Sequence, residues 1–139
     1  MSDNPIVARS RAGDTEKMTI NLGVVDLGQI DLLVQEGFYS NRTDLIRTSI
    51  RNQLALHSDA LKQTLARRAL VLGLQHYSRC DLERAAAAGH MLHVQVVGLA
   101  RIADDVTPAL ARATIASVSV LGAFQASASV KHALADRIV

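Results

Sequence analysis

Lys17, Thr19 and Asn21 alternate with Met18, Ile20 and Leu22. An ammonium, a hydroxyl and a carboxamide thus share one face of a short segment, and three apolar side chains share the other. That is the period of a half-buried strand. These polar groups donate and accept hydrogen bonds, and none is a nucleophile with a base beside it. Two other constellations could do chemistry. His57, His76, His90, His93 and His132, with the single cysteine Cys80, invite a metal reading, and Asp104-Asp105 is a carboxylate pair. His90 and His93 stand three apart and Cys80 has no ligand partner at a metal-site spacing. Surface histidines are therefore expected, with no metal and no cofactor. Asp104-Asp105 reads as capping a helix near Thr107-Pro108, where Pro108 suits the first turn. Asp81, after Ser78, reads as the cap of Leu82–Ala88. No Gly-rich phosphate loop, HExxH, GxSxG or CxxC motif occurs, so no catalytic residue and no enzyme activity are predicted.

The polar trio must be positioned by the elements C-terminal to it. Asp26-Leu27-Gly28-Gln29 has the spacing of a helix capping box with Asp26 as cap. Leu27, Ile30, Leu33 and Val34 keep helical spacing, and Gly37 provides the stop. Asn41-Arg42-Thr43-Asp44 is a second capping pattern, with Asn41 as cap. Ile46, Ile50 and Leu54 then recur every four residues, with Leu45 beside the same stripe. This helix ends near Leu56 or runs on toward Arg67, with Ser58 as a further cap.

One strand and two helices in about 40 residues cannot be stable alone, because a strand cannot hydrogen-bond itself and so small a unit lacks a core. A two-fold dimer removes both problems. Two strands pair antiparallel, and four helices close around Met18, Ile20, Leu22, Ile30, Leu33, Ile46 and Ile50. The outer face of the ribbon then carries Lys17, Thr19 and Asn21 twice, and a two-stranded ribbon fits the major groove of B-DNA.

The stretch EKMTINLGVVDLGQIDLLVQEGFYSNRTDLIRTSIRNQL resembles the ribbon-helix-helix (CopG/MetJ/Arc-like) transcriptional regulators, most specifically in EGFYSNRTDLIRTSIRNQL. The resemblance covers roughly residues 16–56. It implies an obligate homodimer that inserts its ribbon into double-stranded DNA. By position, Lys17, Thr19 and Asn21 match the base-reading residues of that family. Asn41, Arg42 and Thr43 match the start of its second helix, which receives a phosphate on backbone amides; Arg47 and Arg51 lie farther along the same helix as backbone contacts or solvated charges. Lys17 can donate to guanine O6 or N7, Asn21 can pair with adenine, and Thr19 can bond either way or touch a thymine methyl. Gly23 stands where many members have Pro, which shifts the start of the first helix by a few residues at most. Nickel-responsive regulators also begin with such a unit, but the strand-rich order of their metal domain is not reproduced around His76, Cys80, His90 and His93.

The remainder carries a repeat. Shifting Val94–Ile115 by 24 residues onto Val118–Val139 pairs Val94/Val118, Val96/Val120, Gly98/Gly122, Val106/Val130, Ala109/Ala133, Leu110/Leu134 and Ala111/Ala135. The pattern VxVxG, a short connection and VxxALA predicts strand, turn and short helix, repeated. A degenerate earlier copy runs through Val71-Leu72-Gly73, with Leu82, Ala85 and Ala86 in its helix. Such units bury a face against each neighbour.

The fold class expected is therefore α+β. Residues 1–14 form a flexible arm in which Arg9 and Arg11 can reach phosphates. Residues 15–57 form the ribbon-helix-helix unit, 58–67 a helical linker, and 68–139 a small α/β domain of strand–helix repeats for oligomerisation or partner binding. Composition fits: 49% of the 139 residues are hydrophobic and 20% charged, enough for a core. Aromatics are 3% with no Trp, which counts against stacking on single strands. No apolar run approaches a membrane span, residues 1–13 lack the apolar run of a signal peptide, and one cysteine excludes an internal disulfide framework. A cytoplasmic protein without membrane contact is expected. Net charge is +2, but residues 1–56 hold six Lys/Arg against seven Asp/Glu, so charge gives the DNA reading no support. The function expected is a sequence-specific transcriptional regulator, a repressor. The rivals are an antitoxin of a toxin–antitoxin pair, and an assembly protein working through residues 68–139. Against the antitoxin, this second half is apolar and patterned where antitoxin tails are commonly short and disordered.

Overall fold

The computed structural model describes residues 14–139, so the arm expected over residues 1–14 lies, apart from Asp14, outside the described residues. The described chain is α+β and divides into two compact units, Thr15–Thr64 and Leu65–Val139, with Asp14 belonging to the second. Among the described residues no helix is long and apolar enough to cross a membrane.

In the first unit, α1 spans Val24–Gln35 and α2 Arg42–Leu56, and α3 (Ser58–Arg67) starts in this unit and runs past its last residue, Thr64. Helix α1 starts earlier than the capping pattern predicts. Its cap is Gly23, without a side-chain hydrogen bond, and Asp26 sits inside the first turn, where its charge favours the positive end of the helix. The chain leaves α1 through Gly37, at φ +83°, with Phe38 N–H donating to the Leu33 carbonyl at 3.0 Å. This is a left-handed helix stop. Asn41 caps α2, its side chain accepting from Asp44 N–H at 2.8 Å, while the Asp44 carboxylate accepts from Ser40 N–H at 3.0 Å. His57 separates α2 from α3. Glu16–Leu22, expected as a strand, carries no regular element in the single chain. The physical reason is that one strand has nothing to pair with inside one copy.

In the second unit, three parallel strands lie in the order β1 (Val71–Tyr77), β2 (Leu92–Ile102), β3 (Ile115–Gln125). Each is followed by a short helix: α4 (Arg79–Ala87), α5 (Pro108–Thr114) and α6 (Ala128–Ala133). The core joins Val94, Val96, Ala100, Ile102, Ile115 and Val118 of the sheet to Leu82, Ala111, Val130 and Leu134 beside it. Ser78, Thr107 and Ser127 cap the three helices with their hydroxyls. Asp81 is therefore not the cap of α4. It is the third helical residue, and its carboxylate reaches back to Ser78 N–H at 3.0 Å to complete a capping box. Asp104 and Asp105 likewise leave the capping of α5 to Thr107, with Pro108 in the first turn.

The β2/β3 register pairs Val94 with Val118, Val96 with Val120 and Gly98 with Gly122, each 24 residues apart. The helical half of the repeat is not equivalent. Val106 precedes α5 whereas Val130 lies within α6, and Leu110 is inside α5 whereas Leu134 ends α6. The connection from β2 to its helix is longer than the one from β3, so identical residues fall at different turns. After α6 a 3-10 turn at Ala135–Arg137 leads to Ile138, which bridges Val118 in parallel, with Val139 N–H donating to the Val118 carbonyl at 2.8 Å. Arg112 clamps this segment through Asp136 at 2.8 and 3.2 Å, and Arg137 donates to the Arg112 and Ile115 carbonyls. Part of the outer edge of β3 is thereby covered.

Candidate nucleic-acid interface

Helices α1, α2 and α3 contain no buried residue. The side chains expected to form a dimer core are largely open to solvent in the single chain. Met18 is 82% exposed, Ile20 55%, Leu22 41%, Leu33 37% and Ile50 54%, while Ile30 and Ile46 are half-buried. Burying apolar area contributes about 25 cal/mol per Å², so this unit leaves its main source of stability unused within one copy.

The polar residues are presented differently. Lys17, Thr19 and Asn21 are all exposed, and no ion pair holds Lys17 among the described residues. Asn41 is occupied as a cap. Its neighbours Arg42 and Thr43 are the first two residues of α2, and backbone N–H groups at those positions have no partner within the helix. Such amides can receive a phosphate oxygen.

The Arg42 side chain departs from expectation. Its Nε and Nη2 donate to the two Asp31 carboxylate oxygens at 2.7 and 2.8 Å, tying the last turns of α1 to the start of α2. Hydrogen bonding from Arg42 holds the Asp31 carboxyl below the ordinary range, against the opposing effect of desolvation and with help from the Arg42 charge. The same bond raises Arg42. Arg47 and Arg51 stand exposed farther along α2. Sequence reasoning missed Asp31. The available signal was an acid and a base on either side of a short helix–turn–helix connection.

The histidines do not converge. His76 lies near the end of β1, Cys80 is exposed on α4, and His93 at the start of β2 shares a 2.8 Å hydrogen bond with Ser117. Among the described residues no group of three His, Cys, Asp or Glu could hold a metal ion. A cleft of about 560 Å³ opens in the second unit beside His76, Arg101, Asp104, Gln125 and Lys131. Its central cation is already held, since Arg101 bonds Gln125 at 3.0 Å and Asp14 at 3.1 Å.

Neither a curated protein nor a solved structure matches the chain. Residues 13–131 match the model of the Ribbon-Helix-Helix transcriptional regulator family. The match includes the helical unit with its unburied apolar residues and runs through the strand–helix unit to α6. This chain belongs to the ribbon-helix-helix transcriptional regulator family.

Proposed function

We propose that the protein is a sequence-specific repressor that binds operator DNA as a dimer, with residues 16–22 of two copies paired as an antiparallel ribbon in the major groove. The observation that carries this reading is the absence of any buried residue in α1, α2 and α3 beside exposed Met18, Ile20, Leu22 and Ile50. A second copy supplies both the missing strand partner and the missing core. Lys17, Thr19 and Asn21 then face base edges, and the amides of Arg42 and Thr43 receive a phosphate, with Arg47 as an additional backbone contact. The Arg42 guanidinium holds α1 and α2 in register for that contact.

The test is selection of fragments from random DNA on the full chain, with sedimentation in parallel. The reading requires an enriched palindromic or repeated sequence and a dimer. A folded monomer, or binding with no sequence enrichment, defeats it. A reporter with that sequence placed over its promoter separates repression from activation.

A further inference from the structure

The two faces of the parallel sheet are covered unequally. Helices α4, α5 and α6 join a core with one set of alternating strand residues, among them Val94, Val96, Ala100 and Val118. The other set forms the opposite face. The register arranges it in rows: Leu72–Val97–Leu121, Leu74–Leu99–Ala123 and His76–Arg101–Gln125. Burial on that face follows β2. Leu99 is 7% exposed although it lies outside the core that the helices cover, and Val97 is half-buried. On the flanks Leu72 is 69% exposed, Leu121 52% and Leu74 49%. Leu74 and Ala123 stand beside Leu99, and lateral neighbours do not cap a side chain that points out of the sheet. The protected strip is thus one strand wide.

We infer that the chain's own Pro5-Ile6-Val7-Ala8 lies over Val97 and Leu99, anchored at one end by Asp14 on Arg101. The anchor is the first support. Arg101 is the next residue after Leu99 on this face, and it donates to the Asp14 carboxylate at 3.1 Å. Gln125 fixes the same guanidinium at 3.0 Å. The Arg101 and Asp14 side chains are only 26% and 17% exposed, so the chain preceding Asp14 starts on the protected strip. The cover also belongs to the same copy, because Leu99 is buried within a single chain.

Reach and chemistry are the second support. Thirteen residues precede Asp14. The seven steps from Asp14 to Val7 extend up to about 23 Å, whereas Arg101 to Val97 is about 13 Å along a strand. Pro5–Ala8 is the apolar run of residues 1–13, and the polar Arg9, Ser10 and Arg11 lie between it and the anchor. An apolar run thus falls within reach of the apolar rows. Pro5 also lacks an amide donor, which suits a segment that lies over side chains without a ladder partner. Parallel sheets are ordinarily covered on both faces, and this segment supplies the second cover along β2.

The test uses the full chain with Cys80→Ser, Val97→Cys and Ile6→Cys, treated with a short bis-maleimide. A link within one chain is expected, read by mass spectrometry of the joined peptides. Ile6→Cys with Cys80 kept, whose thiol is exposed on α4 in the opposite layer, should form none. Linking of both variants alike, or of neither, overturns the docking, since an undocked segment favours neither face. A covalent dimer joined by Ile6→Cys and Val97→Cys assigns the cover to another copy and also overturns it. Thiol labelling is the second measurement and places no cysteine in the segment. Val97→Cys with Cys80→Ser should react with a maleimide about tenfold faster once residues 1–13 are removed, because a docked segment must open before the thiol is reached. A rate that the removal leaves unchanged overturns the inference.

Discussion

Arg42 grips Asp31 through two parallel hydrogen bonds of 2.7 and 2.8 Å, joining two helices that share no buried residue. Both side chains are about half exposed, so the bond matters for geometry more than for stability, exposed pairs being weak. If Arg42 works through Asp31, Arg42→Ala and Asp31→Ala should weaken DNA binding to the same extent. The double variant should then be no worse than either single one. A phosphate-binding Arg42 behaves otherwise: its loss exceeds that of Asp31→Ala and lowers the salt dependence of binding by about one unit of slope. Titrations at several salt concentrations distinguish the two.

The same pair sets a local pH dependence. The folded Asp31 carboxyl titrates below its unfolded value, chiefly because it accepts hydrogen bonds from Arg42. The folded form therefore binds fewer protons than the unfolded form. The contribution is complete above the unfolded carboxylate value and fades as pH falls through the depressed folded one. Carboxyl and amide NMR shifts at Asp31 and Arg42 should move together in that acid range, and Asp31→Asn should remove the transition at Arg42. A shift at Arg42 that persists in Asp31→Asn would assign it to another group.

Base reading by the strand face has a distinct signature. Lys17→Ala and Asn21→Ala should each lose about 1–3 kcal/mol of discrimination at particular operator positions. Sedimentation should show both variants still dimeric, because both side chains are exposed. Equal weakening on every sequence would show that they touch only phosphate. Binding of the unaltered chain should fall steeply with salt as counterions are released.

The sequence was legible where physics is local or periodic. The Asn41 cap and the Gly37 stop stand where spacing places them, because both depend on a few adjacent backbone groups. The offset of 24 residues appears in the β2/β3 register and again in side-chain pairs: His93–Ser117, Arg101–Gln125 and Arg112–Asp136. Legibility failed where two acceptable caps competed. Asp26 and Asp81 both lie one turn inside their helices, behind Gly23 and Ser78, since an acid suits either position. It failed again where connections of unequal length shifted Val106 and Leu110 relative to Val130 and Leu134. The Asp31–Arg42 bond arises only from tertiary placement. Residues 16–22 carry no regular element in the single chain, and under the proposed function the partner that would define a strand there belongs to another copy.

Glycine substitutions separate the two units most sharply. Gly73, Gly98 and Gly122 are aligned across the three strands, with φ of +127°, +136° and +116°. A Cβ on Gly98 would overlap the Gly73 carbonyl oxygen, and one on Gly122 would overlap that of Gly98. The obstructing atoms are backbone, which cannot rotate away. Gly98→Ala combines conformational strain of about 1–3 kcal/mol with overpacking of about 1–3 kcal/mol. It should lower the denaturation midpoint of the second unit drastically or leave that unit unfolded. Gly28, in the middle of α1, has open space around its would-be Cβ. Gly28→Ala should stabilise α1 by up to about 1 kcal/mol through helix propensity. Denaturation monitored by circular dichroism reads both effects. A Gly98→Ala chain as stable as the unaltered one would show that the strands can separate to admit a methyl group, contrary to the close glycine-to-glycine approach in the sheet.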